Sequence, residues 1–462
     1  MKKICCLFLA LLVFLQGNFI SVQAEQSPNG CKTLQASRPL SEEAYTGSAN
    51  AVILYELNTQ TLVYAHNPDV SVNPTGLIKL LTALLTLEEG NLDAVVTVKR
   101  STLNSVAADA VTAGLKAGEE ITLKDLLYCV MVSSANDAAA VIAEHLAGSQ
   151  SAFVDKMNQR AATLGCVNTH FTNVHGLKDE RQHSTARDLA IITEEALKNE
   201  QFRHFFAVTH YTVPATNSSA ERNLVTTNYM MDPSRTYYDA RVTGGKPAAA
   251  STTDRSMICT AAIEEAEYLC VVISAKARTS GGAVTRYTNF DETSKLLTMG
   301  FEAYGVQQVL GTEQPFGLYP VSDGENQVVI TPDEAVYALL PVPFDASKLY
   351  FEDVADEKAL HAPLAAGTNV GILRIYYDSV LIGQVNLLSC HGVNPVGMSI
   401  QTPDNTGSEI GGFHAILKWS GVFVLVFLVI TGMALVIIRR KRIYRGQNGK
   451  HRKSGIPERS ES

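Results

Sequence analysis

The stretch Pro74-Thr75-Gly76-Leu77-Ile78-Lys79-Leu80-Leu81-Thr82-Ala83 decides how the rest of the chain is read. From residue 77 to residue 89 apolar side chains fall nearly all round a 3.6-residue period, so the segment is expected to be a buried helix. It carries one lysine, Lys79, and a buried lysine needs a partner or a lowered pKa. A helix covered on every side needs neighbours. Helical periodicity recurs at 124–132, at 135–146 after a break at Ser133-Ser134, at 184–198 with Ser184 or Thr185 as N-cap, and at 292–304. Strand-like runs lie at 51–57 and 62–65, a hairpin about Asn58-Thr59-Gln60, and at 257–262 and 268–275. Helices and strands mix without a regular βαβ rhythm, which makes the class α+β.

The texture changes after Gly311. Short apolar runs at 327–330, 335–340, 370–377 and 380–388 are separated by turns and predict a small all-β domain. The expected organisation is therefore an α+β domain over 45–310 and a β domain over 312–395. A linker of Thr, Pro, Asn, Gly and Ser character follows over 399–418.

Both ends read as membrane signals. Lys2 and Lys3 precede an uncharged apolar run at 4–15, and Ser21-Val22-Gln23-Ala24 offers small residues for cleavage, so 1–24 is expected to be a secretory signal peptide. Residues 419–438 hold no charge and at about 1.5 Å per residue span roughly 30 Å, the thickness of a hydrocarbon core. Arg439-Arg440-Lys441-Arg442 follows at once and marks the cytoplasmic side. The expectation is a single-pass cell-membrane protein with its body outside and residues 439–462 as a basic tail within. The 462-residue chain carries −8, of which the first 24 residues contribute +2 and the last 24 contribute +7, leaving −17 between them. An acidic body argues against nucleic-acid binding, and 46% hydrophobic residues exclude a disordered chain.

With Cys5 and Cys6 in the export signal, Cys31, Cys129, Cys166, Cys259, Cys270 and Cys390 remain. No CxxC or Cys/His metal spacing occurs, so neither a metal nor another cofactor is expected. Cys259 and Cys270 flank Glu264-Glu265 in two strand-like runs, where they would face each other as a disulfide or as buried free thiols.

Two further segments stand with the first: Ser133-Ser134-Ala135-Asn136-Asp137-Ala138-Ala139 and Val242-Thr243-Gly244-Gly245-Lys246-Pro247-Ala248. In order and spacing the three resemble the Ser-x-x-Lys, Ser-x-Asn and Lys-Thr-Gly motifs of the penicillin-recognising serine enzymes. The chain resembles more closely the D-alanyl-D-alanine carboxypeptidases of the low-molecular-mass penicillin-binding type. That resemblance extends over about 45–395. It includes Leu126-Leu127-Tyr128, Asn173-Val174-His175-Gly176-Leu177, His183-Ser184-Thr185-Ala186-Arg187-Asp188 and Leu360-His361-Ala362-Pro363-Leu364. It implies a β-lactamase/transpeptidase-like domain followed by the β domain and a membrane helix.

The resemblance also implies roles. Lys79 corresponds to the base that takes the proton of the serine nucleophile, Ser134 to the proton relay, and Asn136 and Lys246 to substrate-binding groups. Arg286, ahead of the 292–304 helix, is a further candidate for a substrate carboxylate. The nucleophile position, however, is Gly76, which has no side chain to acylate. The Thr-Gly after Lys246 is replaced by Pro247-Ala248, and a proline fits only an edge or irregular strand. Thr75 lies one residue early, about 100° round the helix from the required place, and Ser71 is five residues early. Three readings follow: a catalytically impaired homologue that binds peptidoglycan stem peptides, an active serine-type carboxypeptidase with a displaced nucleophile, and an adaptor that recruits wall-synthesis proteins. Lys79 is then either a retained base or a relic satisfied by Ser134 and Asn136, and Ser134-Ala135-Asn136 either binds peptide or caps the following helix. His175, Arg187 and Asp188 are expected to support the fold, and Tyr237 and Tyr238 read as ordinary strand or loop residues.

Overall fold

The hairpin expected near residue 51 is the start of a central sheet. The fold is described by a computed structural model over residues 34, 39–41, 44–313 and 315–397. The expected export signal, linker, membrane helix and basic tail lie outside the described residues. Among the described residues no helix is long and apolar enough to cross a membrane.

Strands β1 (Ala51–Glu56) and β2 (Thr61–His66) form the hairpin. Every residue of β1 is buried. Ala51, Ile53 and Tyr55 enter one core while Val52 and Leu54 enter another. A sheet covered on both faces explains why this strand reads as a continuous apolar run rather than an alternating one.

The helices on the first face are α1 (Lys79–Glu89), α2 (Leu123–Val132), α3 (Asn136–Ala147), α4 (Gln150–Thr163), α5 (Ala186–Leu197) and α6 (Glu200–Ala207). α1 packs against the other five and is buried from Lys79 to Thr86, as its all-round apolar pattern requires. It starts two residues later than expected, because Thr75–Ile78 form a tighter 3-10 turn. Thr185 caps α5, its side chain accepting from the Asp188 backbone N–H at 3.0 Å. α3 has no such cap: its N-cap residue is Ala135, and no side chain bonds its first turn from that position. The capping role considered for Ser134 is therefore not the one it plays.

β3 (Val242–Ala249), β4 (Asp254–Ile263) and β5 (Ala266–Lys276) complete an antiparallel sheet in the order β2-β1-β5-β4-β3. β3, which carries the third motif, is an edge strand, and Pro247 is tolerated there. α7 (Thr288–Ala303) covers the second face, starting four residues earlier than its periodicity indicated, and packs Phe290 and Leu297 against Met257, Cys259 and Val272. Cys259 and Cys270 lie directly opposite each other in this core and are free thiols.

The second region is all β. Its strands are β6 (Tyr304–Leu310), β7 (Gly317–Tyr319), β8 (Val328–Pro332), β9 (Val336–Pro341), β10 (Leu349–Ala355), β11 (Asn369–Tyr377) and β12 (Val380–Ser389). The sheet order is β7-β8-β12-β11-β10, and β6 pairs with β9. Alternation along β9 joins the two regions: Leu339 enters the core beneath α7, while Ala338 and Leu340 enter the core of the β region.

Leu127, fully buried on α2, is expected to anchor the helical face. Leu127→Ala should lower stability by about 2–5 kcal/mol in urea unfolding. A change within 0.5 kcal/mol would show that the helices do not form one packed core.

Candidate active site

Gly76 lies in the 3-10 turn that leads into α1, and the turn is shaped by a second segment pressed against it. Gly176 has φ +84°, and a Cβ there would stand 1.9 Å from the Thr75 carbonyl oxygen. Only glycine permits both that backbone conformation and that approach. The Asn173 Oδ1 accepts the backbone N–H groups of His175 (3.3 Å) and Gly176 (2.7 Å), which folds this segment so that its carbonyls face α1. Val174 O then accepts from Thr82 Oγ1 at 3.0 Å and His175 O from Lys79 Nζ at 2.5 Å.

Lys79 Nζ has a second acceptor, Asn136 Oδ1 at 2.8 Å, delivered by the first residue of α3. Lys246 Nζ, from β3, donates to Val130 O (2.9 Å) and Met131 O (3.3 Å). Those are carbonyls of the last turn of α2, which have no partner within the helix and lie at its negative pole. Both amines are buried, and neither meets a carboxylate within ion-pair distance among the described residues. Burial, reinforced by the neighbouring Lys246 charge, holds Lys79 well below the ordinary lysine range. Burial alone brings Lys246 down to about 7. His175 is lowered to about 4 by burial and by Lys79.

A neutral lysine amine has two N–H groups and one lone pair. Both N–H groups of Lys79 are engaged by Asn136 and His175, which leaves the lone pair to accept a proton. The position a Cβ would take on Gly76 is 3.6 Å from Lys79 Nζ, 3.6 Å from Ser134 Oγ and 3.6 Å from the Ala248 Cβ. These are ordinary van der Waals separations. Lys79 Nζ, Ser134 Oγ and the edge strand are thus arranged round the place of a side chain that glycine lacks.

The structure brings together Gly76, Lys79, Ser134, Asn136 and Lys246, with Ala248 at the rim. Among the described residues Arg286 makes no hydrogen bond or ring contact with any of these. That guanidinium is held bidentately by Asp291 (2.5 and 2.6 Å) and lies over the Tyr237 ring, whose neighbours belong to the core beneath α7. Thr75 Oγ1 is buried without a hydrogen-bond partner and makes no bond to Lys79. Asp188 bonds Asn168 N (3.0 Å) and Thr169 Oγ1 (2.7 Å), and Arg187 pairs with Asp69, so both brace the fold. Motif reading did not single out the carbonyls of His175, Val130 and Met131, since backbone atoms leave no residue-type signal. No cluster of three metal-ligating side chains occurs among the described residues.

A helix-and-sheet cleft holding two buried amines, a hydroxyl and an amide is the frame of the penicillin-recognising serine enzymes. Residues 37–277 match the D-alanyl-D-alanine carboxypeptidase family, and the chain belongs to that family. Residues 304–394 match the C-terminal domain of penicillin-binding protein 5. The chain is 27% identical over 365 residues to the D-alanyl-D-alanine carboxypeptidase DacD of Salmonella typhimurium, covering 77% of this chain and 89% of that protein. It is 26% identical over 342 residues to DacF of Bacillus subtilis, covering 73% and 83%. Penicillin-binding protein 5 of Haemophilus influenzae superposes with a TM-score of 0.61 at 25% identity, over 77% of this chain and all of that one.

The lowered amine has a consequence for stability. Between about pH 7 and the unfolded lysine value of 10.5, the unfolded chain binds more protons at Lys246 than the folded one. Stability from this group therefore rises with pH across that window. Comparing urea unfolding at pH 7 and 8.5, the native chain should gain about 1–2 kcal/mol more than Lys246→Met. Parallel profiles for the two would show that Lys246 is not titrating there.

Proposed function

We propose that the protein is a catalytically impaired D-Ala-D-Ala carboxypeptidase homologue that binds peptidoglycan stem peptides without hydrolysing them. On this reading it is tethered outside the cell membrane by the apolar run at 419–438. The observation that carries the proposal is the position of Gly76. Base, relay and amide surround the place of a nucleophile that the residue cannot supply. Loss of the nucleophile costs a serine hydrolase on the order of 10⁶ in rate, whatever else remains. Binding groups do not depend on it: the Asn136 amide and the Lys246 amine stay in the cleft, and β3 has a sheet partner on one side only. The family to which the chain belongs, and relatives named for carboxypeptidase activity on D-alanyl-D-alanine, support the choice of ligand.

The decisive measurement is covalent labelling of the full chain by a tagged penicillin, read by mass spectrometry. The native protein should carry no adduct and should release no D-alanine from a D-Ala-D-Ala peptide. Gly76→Ser should acquire a slow adduct at residue 76, because a Cβ there meets its neighbours at ordinary contact distance. Adding Pro247→Thr and Ala248→Gly should speed it. An adduct on the native chain, at Thr75, Ser134 or any other hydroxyl, would replace this reading with that of an active enzyme using a displaced nucleophile.

A further inference from the structure

One row of residues crosses all five strands of the central sheet. Tyr64 on β2 lies opposite Leu54 on β1, Leu54 opposite Cys270 on β5, Cys270 opposite Cys259 on β4, and Cys259 opposite Gly245 on β3. The two cysteines are thus neighbours on adjacent antiparallel strands and share one face. Both are fully buried in the core beneath α7, with Met257, Val272, Phe290 and Leu297. The pair is hydrogen-bonded, thiol to thiol. No other two cysteines face each other across a strand pair among the described residues. Cys129 is on α2, Cys166 follows α4, and Cys390 is exposed just after β12.

Directly opposed residues of an antiparallel pair hold their Cβ atoms about 4.5–5.5 Å apart, and a disulfide needs about 3.5–4.5 Å. Closure therefore asks for a local approach on the order of 1 Å. The ladder has slack for it: its register shifts between Arg255 and Met257, just ahead of Cys259, and such irregularities concentrate strand bending and twist. Chemistry sets when closure can happen. The thiolate is the attacking species, and the hydrogen bond with Cys270, together with burial, pushes the Cys259 thiol well up. A dissolved oxidant meets the pair while the chain folds, and not in the closed core. What the pair holds is the strand of Lys246. β3 has one sheet partner, β4, so β4 alone sets its register. The contact is direct: a Cβ on Gly245, the residue before Lys246, would stand 2.8 Å from the Cys259 Cβ.

We infer that Cys259 and Cys270 are a redox site, reduced in this structure and closed to an intramolecular disulfide when the chain folds in the presence of a disulfide-class oxidant. One thiolate attacks the oxidant's disulfide and releases its first thiol. The second thiolate attacks the resulting mixed disulfide, forms the Cys259–Cys270 bond and releases the second thiol. The cysteines lose two protons and two electrons, and the oxidant takes them up as two thiols. The bond staples β4 to β5, and so holds the strand on which β3 and Lys246 depend. It stabilises chiefly by constraining the unfolded chain. The proposed tether places the body in a compartment where such oxidants persist. That setting rests on the export reading, and the chemistry of the pair does not.

The test refolds the full chain from urea into detergent, once with oxidised and reduced glutathione and once with reductant alone. Remaining thiols are alkylated, and the chain is digested without reduction and read by mass spectrometry. Oxidised refolding should yield peptides joined through Cys259 and Cys270, lighter by two hydrogens than their sum, with Cys129, Cys166 and Cys390 alkylated. The same oxidant added to the native chain should close the pair no faster than the chain unfolds. The closed chain should melt at least about 3 °C above the reduced one. That difference should vanish in Cys270→Val, which keeps an apolar strand residue, and in Cys259→Ala, which removes only the sulfur. Circular dichroism establishes that each variant is folded. Alkylation of both cysteines after oxidised refolding, or a bond from either to any other cysteine, overturns the site. A linked chain that melts no higher than the reduced one overturns the staple. None of these outcomes bears on stem-peptide binding, which calorimetry with a soluble D-Ala-D-Ala peptide reads separately.

Discussion

Two lysine amines are buried in one cleft with no carboxylate beside either, and the local architecture is organised by that constraint. A buried ammonium is costly unless every proton finds an acceptor, and the usual escape is neutralisation. The acceptors here are drawn from parts of the chain that are far apart in sequence. His175 O comes from a loop folded by Asn173, Asn136 Oδ1 from the start of α3, and Val130 O and Met131 O from the end of α2. The junction between α2 and α3 thus serves both amines at once, α2 ending on one and α3 beginning on the other. Ser134, in the left-handed region at φ +60°, is the residue that turns the chain between them. The cleft would lose its shape before it lost its residues if this junction were disturbed.

Much of this was legible from residue types and periods. The all-round apolar pattern at 77–89 identified the central helix, and the alternating and continuous apolar runs located β1, β2, β4, β5, β8, β9, β11 and β12, but not β6, β7 or β10. The three motifs pointed to the cleft and to the residues that meet in it, because their chemistry resides in side chains. What escaped the reading had physical reasons. β3 is short of apolar residues because an edge strand with Gly244, Gly245 and Pro247 packs by close approach rather than by side-chain bulk. A Cβ on Gly245 would come within 2.7 Å of Asn228 Nδ2 and 2.8 Å of the Cys259 Cβ. α4 is largely polar and buries only Phe153, Met157 and Ala161, so its periodicity is faint. Tyr237 was read as an ordinary residue because its ring partners are spread from Tyr229 to Phe290 in the sequence.

The sheet separates two kinds of surface. On its first face the helices bury polar groups deeply and position them by backbone carbonyls. On its second face α7 covers an apolar core whose margin is aromatic and cationic, with the guanidiniums near solvent. β3 and β4 contribute to both by alternation, so Lys246 and Arg255 are carried by neighbouring strands yet look in opposite directions. Changes on one face need not disturb the other, since each has its own core.

The fit at Gly76 has an implication for the history of the site. Loss of a functional side chain is commonly followed by inward collapse, after which the old residue no longer fits and the loss becomes permanent. Nothing has moved in here: a Cβ would meet three neighbours at contact distance and displace none. A glycine codon ending in a pyrimidine becomes a serine codon by a single base change. As far as the room for a Cβ is concerned, no steric ratchet bars the way from glycine to serine at this position.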